Sequence, residues 1–509
     1  MSLTRKNALI TIFWSGLNTI QYFLKNIFFI SLFLKYRTGQ DYGFWIILMS
    51  FYGMTVYVCD GYVRYCLNGY NLEYYKDRMQ AHKYFSNGLS FLFLISIGIP
   101  LLLLGIIQYL PFSATLFNTS DAVVNSHGLQ YSLFIIILVS FSHCIVKYIS
   151  GAIEPEGHIH ITNRYLAIYS MCETVVFFLC LLFALSFNGI FVAILLVLTA
   201  VNGMYLYSLF RKYKVYKQGV RGSIKEGFVL FWKSLFFIGN NFFEKLTLDG
   251  INFMIAILYP PASLLPVYAS TRTMANVMVS TSNTFIGVFT IEYQRLTIQK
   301  EAARLLKIFH AIWLLLGLCI NFGLVLAYPW LTKIYSVWTH GKLPVNMLFF
   351  YVIFSVVLFN VYGAVVIAYL KSLNSIRRLL PISIFRAVLI FLLVAIFPKE
   401  PIYLALSLVA AEFIVNVILL NVLLYKEVMK MSAVNILPGL AWCVLPFLLT
   451  AIFLPVNHLL QLSSVTSTLC MVGILVLVYA MQLKYMKNDL LVSNLQFIRA
   501  RIFSTKDKD

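Results

Sequence analysis

The sequence predicts an all-α integral membrane protein of about 14 transmembrane helices, with two pseudo-symmetric six-helix lobes followed by a C-terminal helix pair. The composition indicates the class, because 61% of the residues are hydrophobic and only 11% are charged, against about 25% charged in soluble domains. The number of membrane-length apolar runs indicates the helix count. A helix pair that recurs six helices later indicates the two lobes.

The apolar runs follow one another along the chain, with a polar loop between each run and the next. A helix needs about 20 apolar residues to cross the hydrocarbon core of a bilayer. Fourteen runs meet or approach that length, at 7–34, 43–58, 86–109, 129–149, 165–186, 190–210, 227–258, 264–292, 305–328, 345–370, 381–397, 402–424, 437–455 and 464–483.

Lysine and arginine are distributed unequally between the loops. If the N-terminus is cytoplasmic, the inward loops and termini carry 27 basic residues and the outward loops carry five, which are Lys35, Arg37, Lys333, Lys342 and Lys399. Cytoplasmic loops are enriched in positive charge, so both termini are predicted to be cytoplasmic. Most of the net charge of +20 is this excess, and anionic lipid headgroups explain it without nucleic acid.

Several functional classes have no support in the sequence. The eight cysteines lack zinc or redox spacing and are expected to be free thiols. His158 and His160 lie beside two glutamates in a loop, where contact with solvent is commoner than metal binding, so we expect no metal site. No phosphate-binding loop of the form G-x-x-x-x-G-K-S/T occurs, and we expect no cofactor.

Two membrane-length segments between 228 and 292 carry more polar residues than a lipid-facing helix tolerates. At 100° per residue, Lys233, Asn240 and Glu244 lie within about 40° of one another on the first segment. On the second segment, a face of about 60° carries Arg272, Asn276, Asn283, Gly287 and Thr290. An ionisable group in the bilayer core costs roughly 2.5 to 3.5 kcal/mol, so both stripes are expected to face a bundle interior or a wet cavity, as in a transport path.

A third polar stripe lies on the first span, where about 100° of the helix surface carries Asn7, Thr11, Ser15, Asn18, Tyr22, Lys25 and Asn26. Lys25 and Arg272 lie at similar depths below the outer ends of their spans, and together they could mark one site for an anion. We therefore predict that Lys25, Arg272 and Lys233 are substrate-binding cations. The predicted polar lining of the cavity comprises Asn18, Tyr22, Asn26, Asn240, Asn276 and Asn283.

The same residues have a purely structural alternative. Lys245 and Asp249 are spaced i, i+4 and could neutralise each other. Lys233 lies close enough to the membrane surface to extend its ammonium group into the headgroups. Lys25 and Arg272 could each pair with a buried acid instead of binding a substrate.

Carboxylates inside the spans are the candidates for coupling transport to an ion. Glu173 has no evident partner in the sequence, and a carboxyl group in an apolar setting can carry a proton. Glu244 and Asp249 are the other ion-coupling candidates. By contrast, Arg386 in span eleven could form a structural pair with Glu412 in span twelve, although their depths differ by about 10 Å.

Short motifs occur in a fixed order along the chain. The stretch YRTGQDYGFWIILMS opens the second span and VCDGYVRY closes it, with Tyr-Gly at 42–43 and Asp-Gly at 60–61. GAIEPEGHIHITN follows the fourth span, VYASTRTM opens the eighth and YPWLTKIYSVW follows the ninth. In order and spacing these motifs resemble those of Wzx-type polysaccharide flippases of the multidrug/oligosaccharidyl-lipid/polysaccharide exporter superfamily, over roughly residues 7–430.

The resemblance implies a V-shaped, two-lobed fold that works by alternating access. Spans one and two share one plan with spans seven and eight: a polar-striped helix, a short outer loop, and a helix opened by Tyr and a small residue. An offset of six helices preserves orientation, and the substrate site of such parallel repeats is expected between them. The predicted domains are the lobe 1–210, the basic linker 211–226, the lobe 227–430, and a further helix pair with a tail, 431–509.

The resemblance also implies a function, the transfer of an undecaprenyl-diphosphate-linked oligosaccharide from the cytoplasmic to the periplasmic leaflet of the cell inner membrane. Such a step serves the synthesis of O-antigen lipopolysaccharide, capsule or exopolysaccharide. The implied partners are this lipid-linked substrate, membrane lipids, and polysaccharide polymerase and chain-length proteins. Fixed Lys and Arg side chains in a wet cleft would lower the cost of moving a diphosphate through the low-dielectric core.

Three alternatives remain open. MurJ-type lipid II flippases also have fourteen helices, but their first helix carries an Arg-Asp pattern that YFLKNIFFI lacks. A drug/cation antiporter of the same superfamily would be expected to have a cavity dominated by acids. A membrane-embedded polymerase or ligase would place catalytic Arg or His in a large outer loop, whereas the longest outer loop here, 110–128, has no Arg or Lys. We expect no enzyme activity and no catalytic residue.

Overall fold

The computed structural model of the protein describes most of each predicted span. The described residues are 10, 13–14, 17, 21, 25, 28–74, 77–109, 126–156, 158–213, 222–259, 264–287, 289, 293, 296–297, 301–343, 346–373, 376–429, 437–461 and 464–485. These residues are helical apart from short turns and caps, and they form fourteen helices, one for each predicted span. The predicted all-α class and the predicted helix count are therefore confirmed.

The chain divides into two compact units, Met1–Ala269 and Ser270–Asp509. The helices that begin in the first unit are α1 (helical at every described residue from 10 to 36), α2 (Gly39–Tyr74), α3 (Arg78–Tyr109), α4 (Ser126–Gly151), α5 (Ile159–Leu182), α6 (Phe187–Lys212), α7 (Ile224–Lys245, then the π-helical Leu246–Gly250, then Ile251–Leu258) and α8 (Leu264–Gly287). Helix α8 runs across the boundary between the units.

The second unit holds the remaining helices. They are α9 (Ala302–Gly317, the π-helical Leu318–Phe322, and Gly323–Trp338), α10 (Met347–Ser372), α11 (Ile376–Ile396), α12 (Pro401–Glu412, the π-helical Phe413–Leu419, and Leu420–Met429), α13 (Leu437–Leu459) and α14 (Ser464–Tyr485). The predicted lobe boundary at 211–226 concerns the internal repeat and stays a prediction.

Helix α2 is the centre of the first unit and packs against α3, α4 and α7. Its buried tyrosines bond to backbone carbonyls of neighbouring segments: the hydroxyl of Tyr62 donates to Gly88 O at 3.0 Å, and that of Tyr70 donates to Ala152 O at 3.0 Å. Since a buried hydroxyl without a partner costs free energy, these bonds fix how the helices pack.

Helix α10 has the same central role in the second unit. It packs against α9, α11, α12 and α13, and 18 of its 26 residues are buried. The two additional C-terminal helices extend this core, because Leu475 and Tyr479 of α14 pack against Leu314 and Val325 of α9. The last helix pair is therefore an integral part of the second unit.

Capping residues mark where three of the helices begin. Ser186 accepts from Gly189 N at 3.3 Å before α6, and Ser223 accepts from Glu226 N at 3.4 Å before α7. Asn346 accepts from two backbone N–H groups before α10. These side chains satisfy donors that the first helical turn leaves unpaired.

Ten of the described helices are long and apolar enough to cross a membrane. Helices α7 and α8, which carry the predicted polar stripes, are not among those ten. The fold is that of a multi-pass membrane protein.

Candidate functional site

An ion pair joins α1 to α5 inside the first unit. Lys25 Nζ donates to Glu173 Oε2 at 2.6 Å, and each side chain remains 24% exposed. We call these two residues the α1–α5 pair. Glu173 therefore has a partner that lies 148 positions away in the sequence. The pair is electrically neutral and partly accessible, so a small ion or a charged group can approach it.

Aromatic and imidazole side chains surround the carboxylate of this pair. Tyr52 of α2, His143 of α4 and Tyr169 of α5 all lie close enough to Glu173 to interact with its charge. The rings of His143 and Tyr169 are 4.9 Å apart. His143 Nδ1 is buried and has no hydrogen-bond partner among the described residues. His143 could not be predicted from the sequence, since an isolated histidine in an apolar run carries no pattern.

A second cluster lies one helix away, where Asp60 meets two cations. Asp60 Oδ2 accepts from Arg64 Nε at 2.5 Å, and Oδ1 accepts from Lys147 Nζ of α4. We call these three residues the α2–α4 triad. The predicted second span ended at residue 58, but α2 continues to Tyr74. The prediction of that end was wrong because Asp60 is buried and bonded to Lys147 of α4 instead of marking a solvated loop.

Helix α7 carries its charges in pairs with near neighbours. Lys245 Nζ donates to Asp249 Oδ2 at 3.1 Å, so the pair predicted from the i, i+4 spacing is confirmed. Lys245 also lies 4.3 Å from the ring centroid of Tyr57 on α2, a cation–π contact. Asp249 is therefore already paired with a cation of the protein, and a transported ion would have to compete with Lys245 for its carboxylate.

The residues of the predicted polar stripe on α7 differ in burial. Asn240 is fully buried and donates to Glu244 Oε1 at 3.0 Å, and Glu244 is half-buried. Lys233 is exposed near the start of the helix, as expected if its ammonium group extends to the headgroups. Its predicted role in substrate binding stays a prediction.

The predicted substrate-binding residues of α8 are half-buried or exposed. Arg272 is half-buried, whereas Asn276 and Asn283 are exposed. Arg272 belongs to the second unit and Lys25 to the first, so a joint anion site of these two cations stays a prediction. Asn18, Tyr22 and Asn26 lie outside the described residues, as does Thr290.

A buried polar network joins α10, α11 and α12 in the second unit. Arg386 Nε donates to Glu412 Oε1 at 2.9 Å, which confirms the predicted structural pair. The guanidinium also donates to Asn360 at 2.7 Å, and Asn416 donates to Glu412 Oε2 at 2.6 Å. Arg386 and Glu412 are 8% and 3% exposed. The cation is enclosed by acceptors, so this cluster holds three helices together.

No group of three or more histidine, cysteine or carboxylate side chains that could hold a metal occurs among the described residues. The rings of His158 and His160 are 5.8 Å apart. All eight cysteines are free thiols. The chemistry of the described interior is thus that of ion pairs, amides and phenols.

No protein-family model matches the sequence, and no curated protein matches it. Solved structures do match. A MATE transporter in complex with MaD5 aligns with a TM-score of 0.58 at 12% identity, over 84% of this chain and 95% of its own. An inward-facing multidrug resistance MATE family transporter of the MOP superfamily gives 0.59 at 11% identity, over 84% and 98%.

The lipid II flippase MurJ, in an inward closed conformation, aligns with a TM-score of 0.57 at 14% identity, over 95% of this chain and 99% of its own. At such identities the likeness shows the fold. The chain therefore has the membrane transporter fold shared by MATE proteins and MurJ. Its coverage is greater against MurJ than against the MATE structures, by about the length of the α13 and α14 pair.

Proposed function

We propose that the protein is a flippase that moves a polyprenyl-diphosphate-linked oligosaccharide from the cytoplasmic to the periplasmic leaflet, for the synthesis of a surface polysaccharide. The observation that carries the proposal is the α1–α5 pair, a lysine held inside a membrane helix bundle yet partly exposed. The fold supports a transporter or flippase rather than an enzyme, because the similar solved structures are transporters. The motifs that resemble Wzx-type flippases support the glycan substrate.

In this proposal the diphosphate competes with Glu173 for Lys25. A diphosphate entering the low-dielectric core needs a counter-charge, and the ammonium group supplies one when the carboxylate releases it. Glu173 then takes a proton, so the released carboxylate adds no negative charge beside the diphosphate, and transport is coupled to proton movement. Lys233 and Arg272 are the other two cations that we propose for substrate binding.

Sugar hydroxyls would meet amides and phenols along the polar stripes. Asn240, Asn276 and Asn283 are the described members of that proposed lining; its other proposed members, Asn18, Tyr22 and Asn26, lie outside the described residues. These groups exchange hydrogen bonds with water for hydrogen bonds with the glycan, so the desolvation penalty of the sugar is offset.

The proposed location is the cell inner membrane, with both termini in the cytoplasm. The excess of basic residues in one set of loops supports this orientation. Proteins that polymerise the glycan and set its chain length are the proposed partners, since they use the flipped substrate.

A lipid II flippase is the second candidate. The alignment with MurJ over 95% of the chain favours it, because the match includes nearly the whole length. The first helix, with one Lys and no neighbouring acid in YFLKNIFFI, favours the glycan-linked substrate instead. The two candidates share the diphosphate and differ in the attached headgroup.

The test is flipping by purified protein in liposomes. We expect transfer of a lipid-linked oligosaccharide, stimulated by a proton gradient, and loss of transfer in Lys25→Ala and Arg272→Ala. Lys333→Ala, at an exposed cation, is the control and should flip at the wild-type rate. Transfer of lipid II alone would favour the second candidate, and transfer of a cationic drug but of no lipid would overturn both.

A further inference from the structure

The α2–α4 triad differs in charge from the other ion pairs of the first unit. Asp60 is 5% exposed, and its two oxygens accept from two different cations. One carboxylate therefore serves both Arg64 and Lys147. The triad keeps one net positive charge, whereas the α1–α5 pair is neutral.

Arg64 presents an open guanidinium group. Its Nε is bonded to Asp60, while Nη1 and Nη2 have no hydrogen-bond partner within the described ranges, and the side chain is 59% exposed. A guanidinium fixed through Nε has its outer nitrogens oriented for hydrogen bonds to an oxyanion. Lys147, which is 30% exposed, offers a second cation beside it.

Arg64 lies on the polar face of α2. At 100° per residue, Gly53, Tyr57, Asp60 and Arg64 fall within about 60° of one another. This face meets charged side chains of α7, since Lys245 lies over the ring of Tyr57. An anion at Arg64 would therefore lie on the same face of α2 as these charged side chains, about two helical turns away.

The triad and the α1–α5 pair lie at different depths. Lys147 is four residues before the end of α4 at Gly151, or about 6 Å. Glu173 is fourteen residues after the start of α5 at Ile159, or about 21 Å. A short turn joins these two helix ends, on the side predicted to be cytoplasmic. The two clusters thus differ in depth by about 15 Å, half of the roughly 30 Å hydrocarbon core.

We infer that the α2–α4 triad is a separate anion site, which takes the diphosphate group of the lipid substrate at the cytoplasmic side before it reaches Lys25. The inference rests on the proposed function and adds a first station to it. Arg64 supplies two donors to the diphosphate and Lys147 supplies a third. Asp60 is a positioning residue that holds both cations in place.

The experiment measures binding of undecaprenyl diphosphate to the purified full-length protein in detergent. Arg64→Gln should weaken binding at least about tenfold, which corresponds to about 1.4 kcal/mol. Arg64→Lys keeps the charge but loses the planar guanidinium fork, and its affinity should lie between those of the wild type and Arg64→Gln. Arg304→Gln is the matched control, because Arg304 is 68% exposed and also pairs with a nearby acid, Glu301; its affinity should stay within about twofold of wild type.

Two further probes identify the ligand chemistry. Inorganic pyrophosphate should compete with undecaprenyl diphosphate in the wild type and compete less in Arg64→Gln. Phosphatidylglycerol should bind more weakly, since it carries one phosphate; equal binding would overturn a diphosphate site in favour of a general anionic-lipid site.

The outcomes separate the two proposals. If the wild type does not bind undecaprenyl diphosphate, the proposed function fails. If the wild type binds it, Lys25→Ala loses it and Arg64→Gln retains it, only the α2–α4 site fails. A melting temperature for each variant monitors folding, and Lys147→Gln provides a second test should Arg64→Gln unfold.

Discussion

Replacing Lys25 by methionine removes the cation of the α1–α5 pair and leaves Glu173 without its partner. Removing one partner of a fully buried pair costs about 3 to 5 kcal/mol. Each side chain here keeps 24% of its exposure, and this solvent access lowers the penalty, so we expect a loss of about 3 kcal/mol. The double variant Lys25→Met with Glu173→Gln buries no charge and should recover most of that loss.

Thermal unfolding of the purified variants in one detergent measures this double-mutant cycle. Lys83→Met is the control, because Lys83 and Glu226 are 3.8 Å apart and more than half exposed, and such pairs contribute about 0 to 1 kcal/mol. If Lys25→Met unfolds at the wild-type temperature, or if the double variant is no more stable than Lys25→Met, the α1–α5 pair does not stabilise the fold and the reasoning is wrong.

Three further predictions concern packing and charge. Gly61→Ala should cost about 1 to 3 kcal/mol of stability, because a Cβ would lie 2.8 Å from the α7 backbone. The control Gly203→Ala meets open space inside α6 and should not lower the unfolding temperature, since Ala is the better helix former. Arg386→Met leaves the Glu412 carboxylate buried without its cation and should lower the free energy of unfolding by about 3 to 5 kcal/mol, measured by thermal unfolding. Burial raises the pKa of Glu154, so the folded state binds the carboxyl proton more tightly than the unfolded state does. The free energy of unfolding should therefore fall as the pH rises above the ordinary glutamate range. A series of unfolding measurements at different pH values should show that Glu154→Gln lacks this fall.

The helices could be predicted because each one is long, apolar and bounded by polar residues. The fourth span was predicted at 129–149 and α4 is Ser126–Gly151; the thirteenth was predicted at 437–455 and α13 is Leu437–Leu459. The largest error lies on α2, where counting apolar runs treats a charge as the end of a span. Asp60 is buried and bonds to Lys147 of α4 as well as to Arg64, and the contact with Lys147 is a tertiary property that no span count contains.

The candidate site could be predicted only as far as single helices allow. The Lys245–Asp249 pair follows from spacing, because residues four apart share a face. The pairing of Lys25 with Glu173 could not be predicted, since helical periodicity assigns a residue to a face and says nothing about which distant helix meets that face. For the same reason the sequence predicts Lys25 as a substrate ligand and Glu173 as a separate proton carrier, whereas the structure pairs the two side chains.

Exchanging the two charges of the α1–α5 pair separates substrate binding from structure. The variant Lys25→Glu with Glu173→Lys keeps one ammonium–carboxylate contact between α1 and α5, so its stability should remain within about 1 kcal/mol of wild type. Its cation now projects from α5. If Lys25 binds the diphosphate, this variant should be stable in liposomes yet flip no lipid-linked oligosaccharide. A stable variant with wild-type flipping would show that Lys25 serves only the fold. Protein abundance in single variants cannot make this distinction, because an unpaired Glu173 lowers it under both hypotheses.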